Sequence, residues 1–416
     1  MADGLRIFVN EKPVEVARGA TIRDAVATHD RALAELLAND GAYVTDAVGR
    51  TVDAGDPVGE AGAVFRVVVS ARGGPPRRTK DTLRGWPKAE LHVHLDGALR
   101  PQTMLELARA QGVRLPADTA EGLARALDVS GSQSLEQYLE KYTITLSVMQ
   151  TAEALERIAY EFVVDAAREN LRYVEVRYSP LLHRPALSIA GAIEAPLAGV
   201  RRAAAETGTK VGLILCGIRT MPPASSLELA RAAVDYRGEG VVAFDLAGPE
   251  RGHPANEHRS AFEYAAQHGL ACTCHAGEGD GPHSIHDALH ACGAQRIGHG
   301  TRLGEDPALL EYVVEHKIPL EMCLTSNVHT HAVRSIAEHP FRTYLQQGVV
   351  VTLNTDGRLV DGISLTDEYF AAHAVLGLTK EELMRVVLNT CESAFLPDYE
   401  RVALVSRVQS ELERLQ

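Results

Sequence analysis

The chain has no excess of basic residues. It carries 42 Lys and Arg against 55 Asp and Glu, a formal net charge of −13 and a pI near 5.7. A surface that tracks phosphates needs positive charge, so sequence-independent nucleic-acid binding is not expected, while a small nucleobase or nucleoside stays acceptable as a ligand. Long apolar runs are missing too: none approaches the ~20 residues of a membrane span. The start, Met-Ala-Asp-Gly-Leu-Arg-Ile, has no basic end leading into an apolar core of signal-peptide length. The expectation is a cytoplasmic protein with no membrane partner. Cysteine is sparse, and Cys216, Cys272, Cys274, Cys292, Cys323 and Cys391 show no paired spacing of a disulfide framework. Cys272-Thr-Cys274 falls in a predicted buried strand, which argues against a metal or redox role. What is present is ordinary for a globular protein, 45% hydrophobic and 23% charged. The 416 residues fit a large barrel with an appendage, or two to three medium domains.

The first seventy residues read as a unit of their own. Leu5, Ile7 and Val9 alternate, Asn10-Glu-Lys-Pro13 turns the chain, and Val14 and Val16 alternate again, which predicts a hairpin. Thr21 is placed to cap a helix through Ala25 and Ala27, with Asp24 in its first turn. Strands are expected around 42–45 and 64–69. This ββαββ order resembles the β-grasp fold of ubiquitin-like and sulfur-carrier proteins. Sulfur carriers end in Gly-Gly, as does Ser70-Ala-Arg-Gly-Gly74, but here the chain runs on through Pro75-Pro76-Arg-Arg-Thr-Lys80. No glycine carboxylate is left to activate. Residues 71–86 therefore read as a linker between a small α+β, β-grasp-like domain over 1–70 and a second domain over 87–416.

In that second domain short apolar runs alternate with longer amphipathic stretches, the pattern of βα units on a parallel sheet. Strands are expected at 90–95, 173–178, 211–216, 241–246, 271–275, 296–299, 319–324 and 349–354. Eight strands close a (β/α)₈ TIM barrel. The longest insertion, a helical span over 104–169, is long enough to lie over the barrel mouth.

Chemistry-bearing residues collect where these strands finish. His92-Val-His94 sends two imidazoles to one side of the first strand, while Leu91, Val93 and Leu95 point the other way. The fourth strand ends in Asp245-Leu-Ala-Gly248. The fifth gives His275-Ala-Gly-Glu278, the sixth Gly298-His299-Gly300 and the eighth Asn354-Thr-Asp356-Gly357. Barrel active sites lie at the carboxyl ends of the strands. Three imidazoles and a carboxylate, from His92, His94, His275 and Asp356, suit one Zn²⁺ or a similar divalent ion. Such an ion lowers the pKa of a water from above ~15 to ~7. His299 is placed to take that water's proton or to stabilise the hydroxide. Glu278, three residues beyond a ligand, is placed to act as general acid. His283, His286 and His290 share a helix face but lack a carboxylate partner, and read as exposed. His329-Thr-His331 follows Thr325-Ser-Asn327 in what reads as a loop, and is not expected to form a ligand set.

The stretches KAELHVHLDGALRP, YVEVRYSP, ILCGIRT, FDLAGPE, CHAGEGDG, RIGHGTRL and VTLNTDGRL resemble, in that order, those of adenosine deaminases of the amidohydrolase superfamily. The resemblance runs from about Pro87 to Pro397. It implies hydrolytic deamination of adenosine or deoxyadenosine to inosine or deoxyinosine plus ammonia, with a purine nucleoside as the small-molecule partner. It further implies that His92, His94, His275 and Asp356 hold zinc, that Glu278 protonates the ring nitrogen beside the amine-bearing carbon, and that His299 orients and deprotonates the water. By the same resemblance Gly248 donates its N–H to another ring nitrogen and Asp96 binds the primary ribose hydroxyl. The resemblance also implies that Asp245 and Glu321 hold ligand histidines in the right tautomer. One position departs. Where the family places an acid or an amide against the five-membered ring of the purine, this chain has Gly357, followed by Arg358. Water, Arg358 or a rotated neighbour is left to replace that contact, and the alternative substrates are adenine, an amine-substituted adenine or a larger adenosine derivative. A two-metal amidohydrolase would need a carboxylated lysine at the fourth strand, and Phe244-Asp245-Leu246-Ala247-Gly248 has none. A non-catalytic β-grasp binding protein would be expected to carry a broken ligand set, whereas every ligand is present.

Overall fold

The computed structural model describes residues 4–38, 42–69 and 80–415. The alternating residues of the amino-terminal unit build the expected hairpin of β1 (Gly4–Val9) and β2 (Lys12–Ala17). Ile7, Val9, Val14 and Val16 turn inward and pack with Ile22, Ala25 and Val26 of helix Ile22–His29. Thr21 caps that helix: its hydroxyl accepts from the Asp24 N–H while the Asp24 carboxylate accepts from the Thr21 N–H. A second helix, Arg31–Ala38, follows, which the alternation does not announce. With β3 (Ala42–Thr45), β4 (Thr51–Val52) and β5 (Val64–Val69) the sheet order is β2-β1-β5-β3-β4, with β1 and β5 parallel neighbours. A parallel pair inside a mixed sheet with a helix across one face is a β-grasp arrangement.

Gly73-Gly74 and the prolines after them lie outside the described residues. The far end of the expected linker is corrected. Lys80–Arg84 is helical, and Leu83 and Trp86 are buried in the barrel's core. Lys88 fixes this entry, its buried ammonium donating to the carbonyls of Leu83, Arg84 and Trp86 at 2.8, 3.1 and 3.0 Å.

Eight parallel strands follow in chain order: β6 (Lys88–His94), β7 (Leu171–Tyr178), β8 (Lys210–Ile218), β9 (Val241–Ala247), β10 (Ala271–Ala276), β11 (Arg296–His299), β12 (Leu320–Met322) and β13 (Val351–Leu353). The ring closes between β13 and β6. The His94 N–H donates to the Asp356 carbonyl at 2.7 Å, and the Asp356 N–H donates to the His92 carbonyl at 3.1 Å. The architecture is a (β/α)₈ barrel, and the closing bonds set Asp356 directly beside the two histidines of β6.

Helices Leu135–Glu140 and Tyr142–Leu146, from the insertion between β6 and β7, line the cavity at the carboxyl face. A second correction concerns Thr325-Ser-Asn327 and His329. They lie in helix Leu324–His329 rather than a loop, because the buried Glu368 carboxylate accepts from the Leu324 and Thr325 N–H groups at 2.6 and 3.2 Å and caps the first turn. Among the described residues no helix is long and apolar enough to cross a membrane.

Candidate active site

Alternation along β6 turns Leu91 and Val93 into the apolar layer, fully buried, and His92 and His94 toward the barrel axis. His275 ends β10 and Asp356 follows β13. The atoms these four side chains offer lie within 4.8 Å of one another. His94 Nε2 and His275 Nε2 are 3.1 Å apart, and Asp356 Oδ1 is 3.4 Å from both His92 Nε2 and His94 Nε2. His92 Nε2 is buried and has no hydrogen-bond partner. Three imidazole nitrogens facing a carboxylate oxygen form a donor set for a borderline divalent ion, so these residues fit a metal. Every other cluster of potential ligands among the described residues shares a member with this one.

The opposite ring nitrogens are held by buried acids. His92 Nδ1 meets Glu321 Oε2 at 3.0 Å, and His275 Nδ1 lies 3.0 Å from Asp245 Oδ2. A carboxylate that accepts the Nδ1 proton leaves the Nε2 lone pair for the common point. The acids are themselves neutralised. Arg177, fully buried, donates to Asp245 Oδ2 at 2.9 Å and to Glu321 Oε2 at 2.6 Å, and Arg296 Nε donates to Glu321 Oε1 at 2.6 Å. Burial pushes both carboxyls up, but His275 and Arg177 hold Asp245, and Arg177 and Arg296 hold Glu321, well below the usual carboxylate range.

Glu278 is treated in the opposite way. Burial, then the charges of Asp356 and Glu250, push its carboxyl well above its ordinary value. Thr330 Oγ1 donates to its Oε1 at 2.9 Å, and His299 Nε2 lies 3.5 Å from its Oε2. The loop that carries it is gathered on one side chain: Glu250 accepts from the N–H groups of Gly277, Glu278, Gly279 and Asp280 at 2.5, 2.9, 2.6 and 3.1 Å. His299 and Asp356 both adopt left-handed backbone, φ 62° and 60°. That conformation costs non-glycine residues ~1–3 kcal/mol and is typically retained at functional sites. Gly298 precedes His299 because a Cβ there would lie 3.1 Å from both the His275 Cα and the His92 Cε1.

Asp96 and Gly248 line the same cavity of about 220 Å³, together with His94, His275, Glu278 and His299. Asp96 Oδ1 is buried without a partner, and burial raises its carboxyl to about 7. A Cβ at Gly357, the position where the family carries its purine contact, would run into the hydroxyls of Tyr138 and Tyr142, and those two tyrosines form part of the cavity wall. Arg358 points away from the site, donating to Glu90 at 2.5 Å and Glu169 at 3.0 Å, so it does not replace the family's polar contact. His283, His286 and His290 lie on an exposed face. His329 is turned to Asp361 at 2.7 Å, and His331 to the Ser132 carbonyl at 2.6 Å. Sequence reasoning missed Arg177, Glu250, Asn327 and the two tyrosines. For Arg177 the available signal was a charged residue in the carboxyl half of a predicted barrel strand, two positions after Glu175.

The sequence model of the family described as adenosine deaminase matches residues 87–411. The chain belongs to the adenosine deaminase family. It is accordingly a hydrolase acting on a C–N bond, in a metal-dependent family. An adenosine deaminase of Klebsiella pneumoniae subsp. pneumoniae is 41% identical over 327 residues, covering 77% of this chain and 97% of that protein. Among solved structures, an adenine deaminase from Arthrobacter aurescens matches with a TM-score of 0.73 at 27% identity, over 79% of this chain and 100% of that one. An Arabidopsis N6-mAMP deaminase matches with a TM-score of 0.71 at 28% identity, over 79% and 99%. The family match starts after the amino-terminal sheet.

Proposed function

We propose that this protein is a zinc-dependent aminohydrolase that converts adenosine and deoxyadenosine to inosine and deoxyinosine with release of ammonia. The observation that carries the reading is a buried carboxyl group, Glu278, whose surroundings favour its neutral form, facing the same cavity as a three-imidazole, one-carboxylate cluster. His92, His94, His275 and Asp356 would hold the zinc, which when bound would supply the Lewis acidity for a water to act as nucleophile at neutral pH. Glu278 donates its proton to the purine ring nitrogen beside the amine-bearing carbon, which makes that carbon electrophilic. The Asn327 amide donates to His299 Nδ1 at 3.1 Å, and this puts the imidazole's own proton on Nε2, on the side of the site. His299 in that tautomer orients and stabilises the attacking oxygen rather than taking its proton; the Glu278 carboxylate left by the ring protonation takes one water proton, and the second leaves with the amine as ammonia. Asp245 and Glu321 keep His275 and His92 in the metal-facing tautomer. Gly248 offers its N–H to a second ring nitrogen, and the unpartnered oxygen of Asp96 receives the primary ribose hydroxyl. In this reading the barrel over 87–416 carries the chemistry, and the β-grasp unit over 1–70 stands outside it.

A second reading, deamination of another aminopurine, draws on Gly357 and on structural neighbours named for adenine and N6-mAMP. An ammonia-release assay over adenosine, deoxyadenosine, adenine and N6-methyl-AMP separates the two. Adenosine and deoxyadenosine are expected to have the highest kcat/KM. A higher value for adenine or the nucleotide would overturn the nucleoside assignment while leaving the reaction type.

A further inference from the structure

Two phenols fill the space that a side chain at Gly357 would need. A Cβ at that position would lie 2.5 Å from the Tyr142 hydroxyl and 2.7 Å from that of Tyr138. The hydroxyls are anchored on a buried carboxylate. Tyr138 Oη donates to Asp361 Oδ2 at 2.9 Å, and the Gly357 N–H reaches the same oxygen at 3.3 Å, while His329 Nδ1 meets Oδ1 at 2.7 Å. With its single proton committed to Asp361, Tyr138 offers Tyr142 only lone pairs, at 3.3 Å. That long contact is the one hydrogen bond of the Tyr142 hydroxyl among the described residues. Of the two phenol protons, that of Tyr142 is the one that a ligand can recruit at little cost.

The placement matches the shape of the proposed substrate. Tyr142 stands against His94, with ring centroids 6.3 Å apart, whereas Glu278 stands against His299. His94 and His299 each pack on His92 and His275, so phenol and acid occupy the two flanks of the cluster. In an aminopurine the amine-bearing carbon has a six-membered-ring nitrogen on one side. On its other side, across the ring fusion, the five-membered ring presents an unprotonated nitrogen on the same edge. With the first nitrogen on Glu278, the second is directed to the opposite flank.

We infer that Tyr142 is a specificity-determining residue, its hydroxyl donating to the five-membered-ring nitrogen on the amine-bearing edge of the purine. Asp361 holds the Tyr138 proton, so Tyr138 competes for the Tyr142 proton only as a long, weak acceptor and leaves it available to the ligand. The inference rests on the aminopurine reading above, and adds that the missing polar contact is supplied from the helical insertion rather than from the strand end.

The test uses the full-length, metal-loaded enzyme. Inosine and 7-deazainosine, in which a CH replaces that nitrogen, are measured as competitive inhibitors of adenosine turnover. The wild type is expected to bind inosine about 10-fold more tightly, the worth of one buried neutral hydrogen bond. Tyr142→Phe is expected to bind both alike, at the wild-type level for 7-deazainosine, with metal content and Tm unchanged. A wild type that does not discriminate, or a Tyr142→Phe enzyme that discriminates as fully as the wild type, overturns the inference. Should Tyr142→Phe fail to fold, Tyr138→Phe removes the oxygen that competes for the Tyr142 proton and is expected to keep or raise the preference for inosine; a ratio that falls to one there counts against Tyr142. Failure of the wild type to release ammonia from any aminopurine sinks the underlying reading, whereas the discrimination ratios bear on Tyr142 alone.

Discussion

A carboxyl group serves as a proton donor at neutral pH only if its surroundings deny it a charge. Glu278 is buried and faces Asp356 and Glu250, and both conditions favour the neutral acid. Glu278→Gln should lower kcat at least ~10²-fold, the low end of what a positioned acid contributes, with metal content unchanged by elemental analysis. Near-normal turnover would remove Glu278 from the acid's role. The sign of the pH effect follows from the raised pKa. The protonated form is the active one, so activity is held below that pKa and lost as pH rises through it. A pH–rate profile that keeps rising on the basic side would contradict this. At this scale the clustered histidines and acids were legible because HxH, HAGE and GHG are short polar motifs at the ends of apolar strands. Tyr138 and Tyr142 were not. They lie in a helical insertion, where their rings read as ordinary apolar spacing and nothing marks the hydroxyls. Asn327 was hidden by reading its helix as a loop, since the cap that makes the helix, Glu368, is 41 residues away in sequence.

The strands and their connecting loops act as a frame for charges. Asp245 on β9 and Glu321 on β12 each reach a histidine of the cluster, and Arg177 on β7 joins the two acids through the barrel interior. Glu321→Gln should weaken metal binding by ~10–100-fold, the usual effect of losing a partner that orients a ligand imidazole. Competition against a chelator of known affinity measures it, and an unchanged metal affinity would show that His92 needs no such partner. All eight barrel strands are recognisable as apolar runs, but β12 and β13 are shorter than the runs 319–324 and 349–354. There Cys323 and Leu324 leave the sheet to start a helix, and Asn354 turns its side chain to the β6 backbone, accepting from the Leu91 and His92 N–H groups. Hydrophobicity alone does not record where a strand stops pairing.

On the scale of the whole molecule, the β-grasp unit touches the barrel near the loop that follows Asp356. Arg50, between β3 and β4, is held by Asp46 at 2.7 Å and donates to the Asp361 carbonyl at 3.2 Å. This is a single, half-buried bond, so Arg50→Ala should cost no more than ~1.5 kcal/mol in denaturant unfolding and leave kcat for adenosine within a few-fold. A collapse of activity in a folded Arg50→Ala protein would show that the unit controls the site. The two-part organisation was legible from the change of rhythm near residue 86, whereas this contact joins residues 311 apart and has no local signal. The central claim is that one ion, held by His92, His94, His275 and Asp356, is required for deamination. Its most direct test is to strip the protein with a chelator and titrate zinc back while recording ammonia release from adenosine. The stripped protein is expected to show no turnover, with linear recovery that saturates at one equivalent per chain. Full activity in protein shown by elemental analysis to be free of metal would contradict it.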